Sequence, residues 1–163
     1  MQGMRAVSMF AVIAAFGVAC GDDTTGIPSN VEIFKADLNG ANERPALPTP
    51  TTATGEATIT VMGNLLSWSV QVTNIQNVNI GHIHYGPADS AGGVMVSLSP
   101  TPGDYAATTT IAQGSLIVVD SVLVHMRAGK AYVNIHTSDP ALAGNNTPGD
   151  YPAGEIRGQL RKL

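Results

Sequence analysis

A single cysteine, Cys20, stands in the 163 residues, so no intramolecular disulfide can brace the chain. Aromatic residues make up 5% and charged residues 12%, and eight Lys and Arg are outnumbered by twelve Asp and Glu. Neither that sign nor any basic-aromatic cluster suits a nucleic-acid binder. Apolar runs are short. The longest, Ala6 to Ala19, is interrupted only by Ser8 and covers about 14 residues, against the ~20 that a membrane-spanning helix needs.

That run follows the weakly basic start Met1 to Arg5 and has the length of a signal-peptide core. It ends in Gly17-Val18-Ala19-Cys20, which resembles a bacterial lipobox, with Gly17 in place of the usual Leu. On this reading residues 1–19 are a lipoprotein signal peptide. Cys20 is acylated, becomes the mature first residue and anchors the exported protein to a membrane. The competing reading is an ordinary signal peptide cut near Ala19, with Cys20 incidental. Residues 20–163 then carry seven Lys and Arg against twelve Asp and Glu. Gly21 to Asn30 is small, polar and broken by Pro28, as a flexible tether is, so residues 20–30 form a leash and residues 31–163 one domain.

Within the domain the apolar period is two. Ala57, Ile59 and Val61 alternate with Thr58 and Thr60, and Leu66, Trp68, Val70 and Val72 alternate with Ser67, Ser69 and Gln71. Gly63-Asn64 between them is a two-residue hairpin signal. Further strands are expected near Val31–Leu38, Val78–His84, Val94–Leu98, Ala112–Val118, Ala131–Thr137 and Glu155–Leu160. Loops rich in Pro, Gly, Asp and Thr separate them. The pattern predicts an all-β fold, an antiparallel β-sandwich of about eight strands, with Trp68 largely buried. One short helix is expected over Asp120–Ala128, capped by Asp120, packed through Val122, Leu123 and Met126, and ended by Gly129. Thr-Pro-Gly-Asp-Tyr occurs at Thr101–Tyr105 and again at Thr147–Tyr151. Neither copy has the dense acidic spacing of a calcium loop, so both read as structural turns.

Two segments match each other. Gly81-His82-Ile83-His84 leads through a loop to Gly92-Gly93, and Val133-Asn134-Ile135-His136 leads through a longer loop to Gly154-Glu155. Superposed, His82 lies on Asn134, His84 on His136 and Gly93 on Gly154. Residues i and i+2 of a strand point the same way, so His82 and His84 can share one ion, with His136 completing the set. Glu155 is then a candidate carboxylate ligand or a partner that orients His136, and copper and zinc are the candidate metals. The opposing reading is that these histidines only hydrogen-bond to loop backbone. The faces conflict, because Val78 and Ile80 share the parity of His82 and His84 whereas Val133 and Ile135 point inward. A bulge at Gly81 would reconcile them.

Taken together, Phe34 to Pro45, Gly55-x-Ala57, Gly81 to His84, Ala128 to Thr137 and Gly154 to Leu160 resemble the CHRD domain, named for the animal extracellular protein chordin. The resemblance implies an extracytoplasmic β-rich module and no general enzymatic activity. It also centres its last motifs on Asn134, Glu155 and Arg157, which favours roles in orienting His136 and in holding loop carbonyls. The leading function is therefore a lipid-anchored binding or scaffold module, periplasmic or at the cell surface, with an extracellular or periplasmic partner and a metal centre at the histidines. The alternative is a metal-dependent redox enzyme, since the His-x-His strand is similar to the copper-ligand strand of copper/zinc superoxide dismutases. The bridging-histidine loop and the disulfide of those enzymes have no counterpart here. No nucleophile elbow supports a catalytic triad.

Overall fold

Alternating apolar and hydroxylated residues give β2 (Thr54–Met62) and β3 (Leu65–Thr73), which pair in register from Met62 and Leu65 outward. In the turn between them Gly63 has φ of 60° and Asn64 keeps a negative φ, the pattern of a type II′ hairpin. The computed structural model describes residues 30–142 and 144–163, so the expected signal peptide, Cys20 and the expected tether up to residue 29 lie outside the described residues. The remaining strands are β1 (Val31–Asn39), β4 (Ile75–Tyr85), β5 (Val94–Ser97), β6 (Gly103–Tyr105), β7 (Thr109–Ile117), β8 (Ala131–Thr137), β9 (Ile156–Gln159) and β10 (Arg161–Lys162). Among the described residues no helix is long and apolar enough to cross a membrane.

Every pairing is antiparallel, in the order β5-β4-β8-β9-β1-β2-β3-β7, with β6 added to β4 and β10 to β1. The segments beyond β5 nevertheless meet the other end of the sheet. Trp68 Nε1 of β3 donates to Leu98 O at 3.1 Å, and Thr101 N donates to Ile111 O of β7 at 2.7 Å. The sheet thus curls until its ends touch, enclosing Phe34, Leu38, Ile59, Val70, Ile83 and Ile135 in one core. The predicted antiparallel class stands, with ten strands rather than about eight, in one curled sheet. The two extra strands are three and two residues long, too short to show a period.

Trp68 is half-buried rather than fully enclosed. Its ring packs against the core edge over Gly114 of β7, where an added Cβ would come within 2.6 Å of a ring carbon. The helix α1 (Asp120–Arg127) buries Val122, Leu123 and Met126, and Gly129 ends it at φ of 67°. Asp120 is not its cap. Val119 occupies the N-cap without a side-chain bond, and the Asp120 carboxylate accepts from Asn64 Nδ2 at 2.7 Å. Both aspartates of the repeated pentapeptide bind backbone: Asp104 accepts from Asn77 N, and buried Asp150 from Asp139 N and Asn145 N.

The conflict of faces in β4 is resolved by a bulge, two residues before Gly81. Val78 faces Thr137 and Ile80 faces His136, so Asn79 is the extra residue that switches the phase. Val78 is therefore buried and Ile80 exposed, while Gly81 and Ile83 point into the core and His82 and His84 point outward.

Candidate functional site

The outer face of β4, β8 and β9 is set by register. His82 faces Asn134, His84 faces Tyr132 and Ile80 faces His136, and β9 continues the rows with Arg157 beside Asn134 and Gln159 beside Tyr132. All seven residues of β8 are buried, so its outward side chains lie beneath the loops that follow β4 and β8. The same loops fix the imidazoles. His84 Nδ1 bonds to Gly92 O at 3.0 Å, and His136 Nδ1 bonds to Pro152 O at 2.9 Å.

A carbonyl only accepts, so both Nδ1 atoms carry the proton, and both Nε2 atoms present a lone pair. The Nε2 of His136 lies 3.3 Å from His82 Nδ1. The Nε2 of His84 is buried and has no hydrogen-bond partner among the described residues. One nitrogen from each of the three rings lies within 4.8 Å of the others. His82, His84 and His136, 54 residues apart at the widest, are thus brought together. His125 is elsewhere, on α1 against Tyr85 at 4.5 Å between ring centres.

Burial keeps these rings neutral. It lowers the pKa of His136 to about 4, with His82 and His84 adding repulsion against the Pro152 bond. His82 and His84 are lowered too, first by burial, then by His84 for the former and Arg157 for the latter. Neutral imidazole is the form that ligates metal.

Beside the cluster, Tyr132 is stacked between two partners. The His84 ring lies parallel to it at 5.0 Å, and the Arg157 guanidinium lies 3.4 Å from its centre. Arg157 is 1% exposed, and its Nη2 donates to Pro87 O at 2.8 Å and Ser90 O at 2.9 Å. It therefore holds the loop whose Gly92 carbonyl orients His84, the loop-holding role expected of it. Asn134 Nδ2 donates to Glu43 Oε2 at 3.4 Å. Burial raises Glu43 to about 7, Arg157 pulling the other way, and both Glu43 Oε1 and Asn134 Oδ1 are buried without partners among the described residues.

Glu155 does not orient His136. Its carboxylate accepts from Thr51 Oγ1 at 2.5 Å, Thr137 Oγ1 at 2.7 Å and Gly149 N at 2.9 Å, and Pro152 O holds His136 instead. Glu155 is a buried clasp between loops. Tyr132, Glu43 and the two carbonyls form the part of the site that motif reading missed. Tyr132 had a signal, since it shares a face with Asn134 and His136; backbone carbonyls leave none.

The pH dependence has a defined sign. His136 contributes stability that is present above pH 6.5 and lost as pH falls toward about 4. Glu43 opposes it, contributing stability that is present below pH 4.5 and lost as pH rises through about 7. Glu43→Gln keeps an amide donor in place and removes the opposing contribution. The metal-free variant should therefore lose stability more steeply than wild type between pH 6.5 and 4.5, as urea midpoints at each pH would register. Parallel curves would mean that Glu43 does not titrate in this window.

A family model of the CHRD domain matches residues 34–160. The chain belongs to the CHRD domain family. The matched span covers His82, His84 and His136, with Asn134, Glu155 and Arg157, and leaves Cys20 outside it. No curated protein and no solved structure matches this CHRD chain.

Proposed function

We propose that this CHRD domain is a lipid-anchored, extracytoplasmic binding module that holds a copper or zinc ion at His82, His84 and His136. The observation that carries the reading is the buried, partnerless Nε2 of His84, next to a second fixed lone pair on His136. A buried nitrogen without a partner costs free energy, and a metal ion relieves it. Nitrogens bound at ~2.0–2.1 Å to a tetrahedral ion lie about 3.4 Å apart, close to the 3.3 Å between His82 and His136. Ligating imidazoles characteristically donate the other N–H to a carbonyl, as His84 and His136 do. Imidazole nitrogen suits zinc and copper. Membership of a family of extracellular modules supports export, and the lipobox-like Cys20 supports the anchor.

Elemental analysis of the domain expressed from after Cys20, then incubated with each metal and desalted, tests the centre. One equivalent of zinc or copper is expected at pH 7, with release as pH falls toward the His136 value of about 4. No retained metal would sink it. The redox reading draws on the same geometry, because three nitrogens leave a tetrahedral ion one open position. Superoxide turnover by the copper-loaded domain would favour that reading, and none would leave the binding module.

Cys20→Ser tests the anchor separately. A serine cannot form the thioether, so the variant should leave the membrane fraction or keep its signal peptide. Unchanged fractionation and processing would refute lipidation.

A further inference from the structure

Four apolar residues stand in one row across four strands. Val31 of β1 faces Met62 of β2, Met62 faces Leu65 of β3, and Leu65 faces Ile117 of β7. Residues directly opposed in antiparallel strands point to the same face. This is the outer face, because the neighbouring row containing Val61 and Leu66 is buried in the core. Met62 is 49% and Ile117 69% exposed. Val119 and Val124, also exposed, follow on the connection to α1 and on α1 itself, and Arg127 of α1 bridges to Glu32 next to Val31.

The next outward row is Ile33, Thr60, Ser67 and Ser115, and the one beyond is Lys35, Thr58, Ser69 and Gln113. The all-apolar row thus gives way to a row of three hydroxyls beside Ile33, and then to hydroxyls beside an amide and a charge, so polarity rises along the strands as it does across a membrane interface. The described chain enters at this end, since β1 begins at Val31.

We infer that this end of the domain rests on the membrane surface, with Val31, Met62, Leu65 and Ile117 in the headgroup–acyl boundary. The inference rests on the lipid-anchored reading. Residues 20–30 reach less than ~40 Å even fully extended, which keeps the end where β1 begins within that distance of the bilayer. Strand register carries the consequence to the metal site. Asn39 lies eight residues along β1 from Val31 and leads through Arg157 and Asn134 to His82. At ~3.3 Å per residue the row that leads to the histidines crosses β1 roughly 26 Å along the strand from Val31. Seated this way, the domain turns the cluster to the aqueous side.

The full-length lipidated protein in vesicles of phosphatidylethanolamine and phosphatidylglycerol tests this. Ile117→Cys gives one free thiol for a spin label, because the Cys20 sulfur carries the lipid, and Ser90→Cys labels the loop over the histidines. Collisions at position 117 should favour dissolved oxygen over an aqueous nickel chelate, and at position 90 the order should reverse. A label at 117 as open to the chelate as that at 90 overturns the proposal. A label at 117 shielded from both reagents also overturns it, in favour of a protein covering the row. If the wild type instead fractionates as soluble, the anchor reading has failed by itself. The row is then judged by flotation of the same chain with added vesicles. There Met62→Asp/Ile117→Asp should weaken association about tenfold, and failure of the unmodified chain to float overturns the contact too.

Discussion

Arg157→Ala is expected to destabilise the metal-free domain by about 3–5 kcal/mol, a large share of what a single domain has. The guanidinium is 1% exposed, donates to two loop carbonyls and covers the Tyr132 ring at 3.4 Å. Truncation leaves Pro87 O and Ser90 O without their donor at about 1–3 kcal/mol each if no water replaces it, removes a desolvated cation–π contact of about 2, and opens a cavity. The sum is an upper bound. Among the described residues no carboxylate lies within ion-pair distance of Arg157, and burial lowers its pKa, so removing the charge recovers part of its desolvation cost. Arg157→Lys should fall between, because an ammonium can reach a carbonyl but cannot stack as a plane. Urea unfolding of the three proteins decides. A loss below about 1 kcal/mol in the alanine variant would show that the loop is held without this residue.

Much of this arrangement was legible, and the parts that were not have identifiable causes. The long strands announced themselves because one face of each meets the core, as in Ala57, Ile59 and Val61, all fully buried. The matched halves gave the histidine cluster because His84 and His136 occupy equivalent outward positions beside equivalent loops. Parity failed where the backbone leaves the extended region. Strand alternation carried through Glu155–Leu160 puts Glu155 on the face of Arg157, but β9 starts at Ile156, and Gly154 at φ of 128° turns the chain just before it. The carboxylate therefore reaches Thr51 and Thr137 rather than His136. Gly81 suggested a bulge because it interrupts a strand. It is small for another reason: a Cβ there would come within 2.8 Å of Ile135 Cδ1, so glycine relieves crowding in the core while Asn79 makes the bulge.

His136→Ala is expected to lower metal affinity by at least about a hundredfold. A structural zinc site of four ligands is worth about 10–16 kcal/mol, on the order of 3 kcal/mol per ligand, which is more than two decades in affinity. The two remaining nitrogens, on His82 and His84, sit on one strand and cannot close around an ion from the opposite side. The loss should appear as a missing stabilisation. Free metal at about 100 times its dissociation constant raises unfolding free energy by about 2.7 kcal/mol. At that concentration wild type gains this and the variant almost nothing. In the metal-free variant truncation removes a buried ring together with its bonds to Pro152 O and His82 Nδ1, so the metal-induced shift is read against the variant's own metal-free stability. His125→Ala is the control, for it removes an imidazole packed on Tyr85 and should leave the metal-induced shift unchanged. Equal shifts in wild type and His136→Ala would place any bound ion elsewhere, and leave His84 Nε2 as an orphaned nitrogen whose cost the fold bears for another purpose.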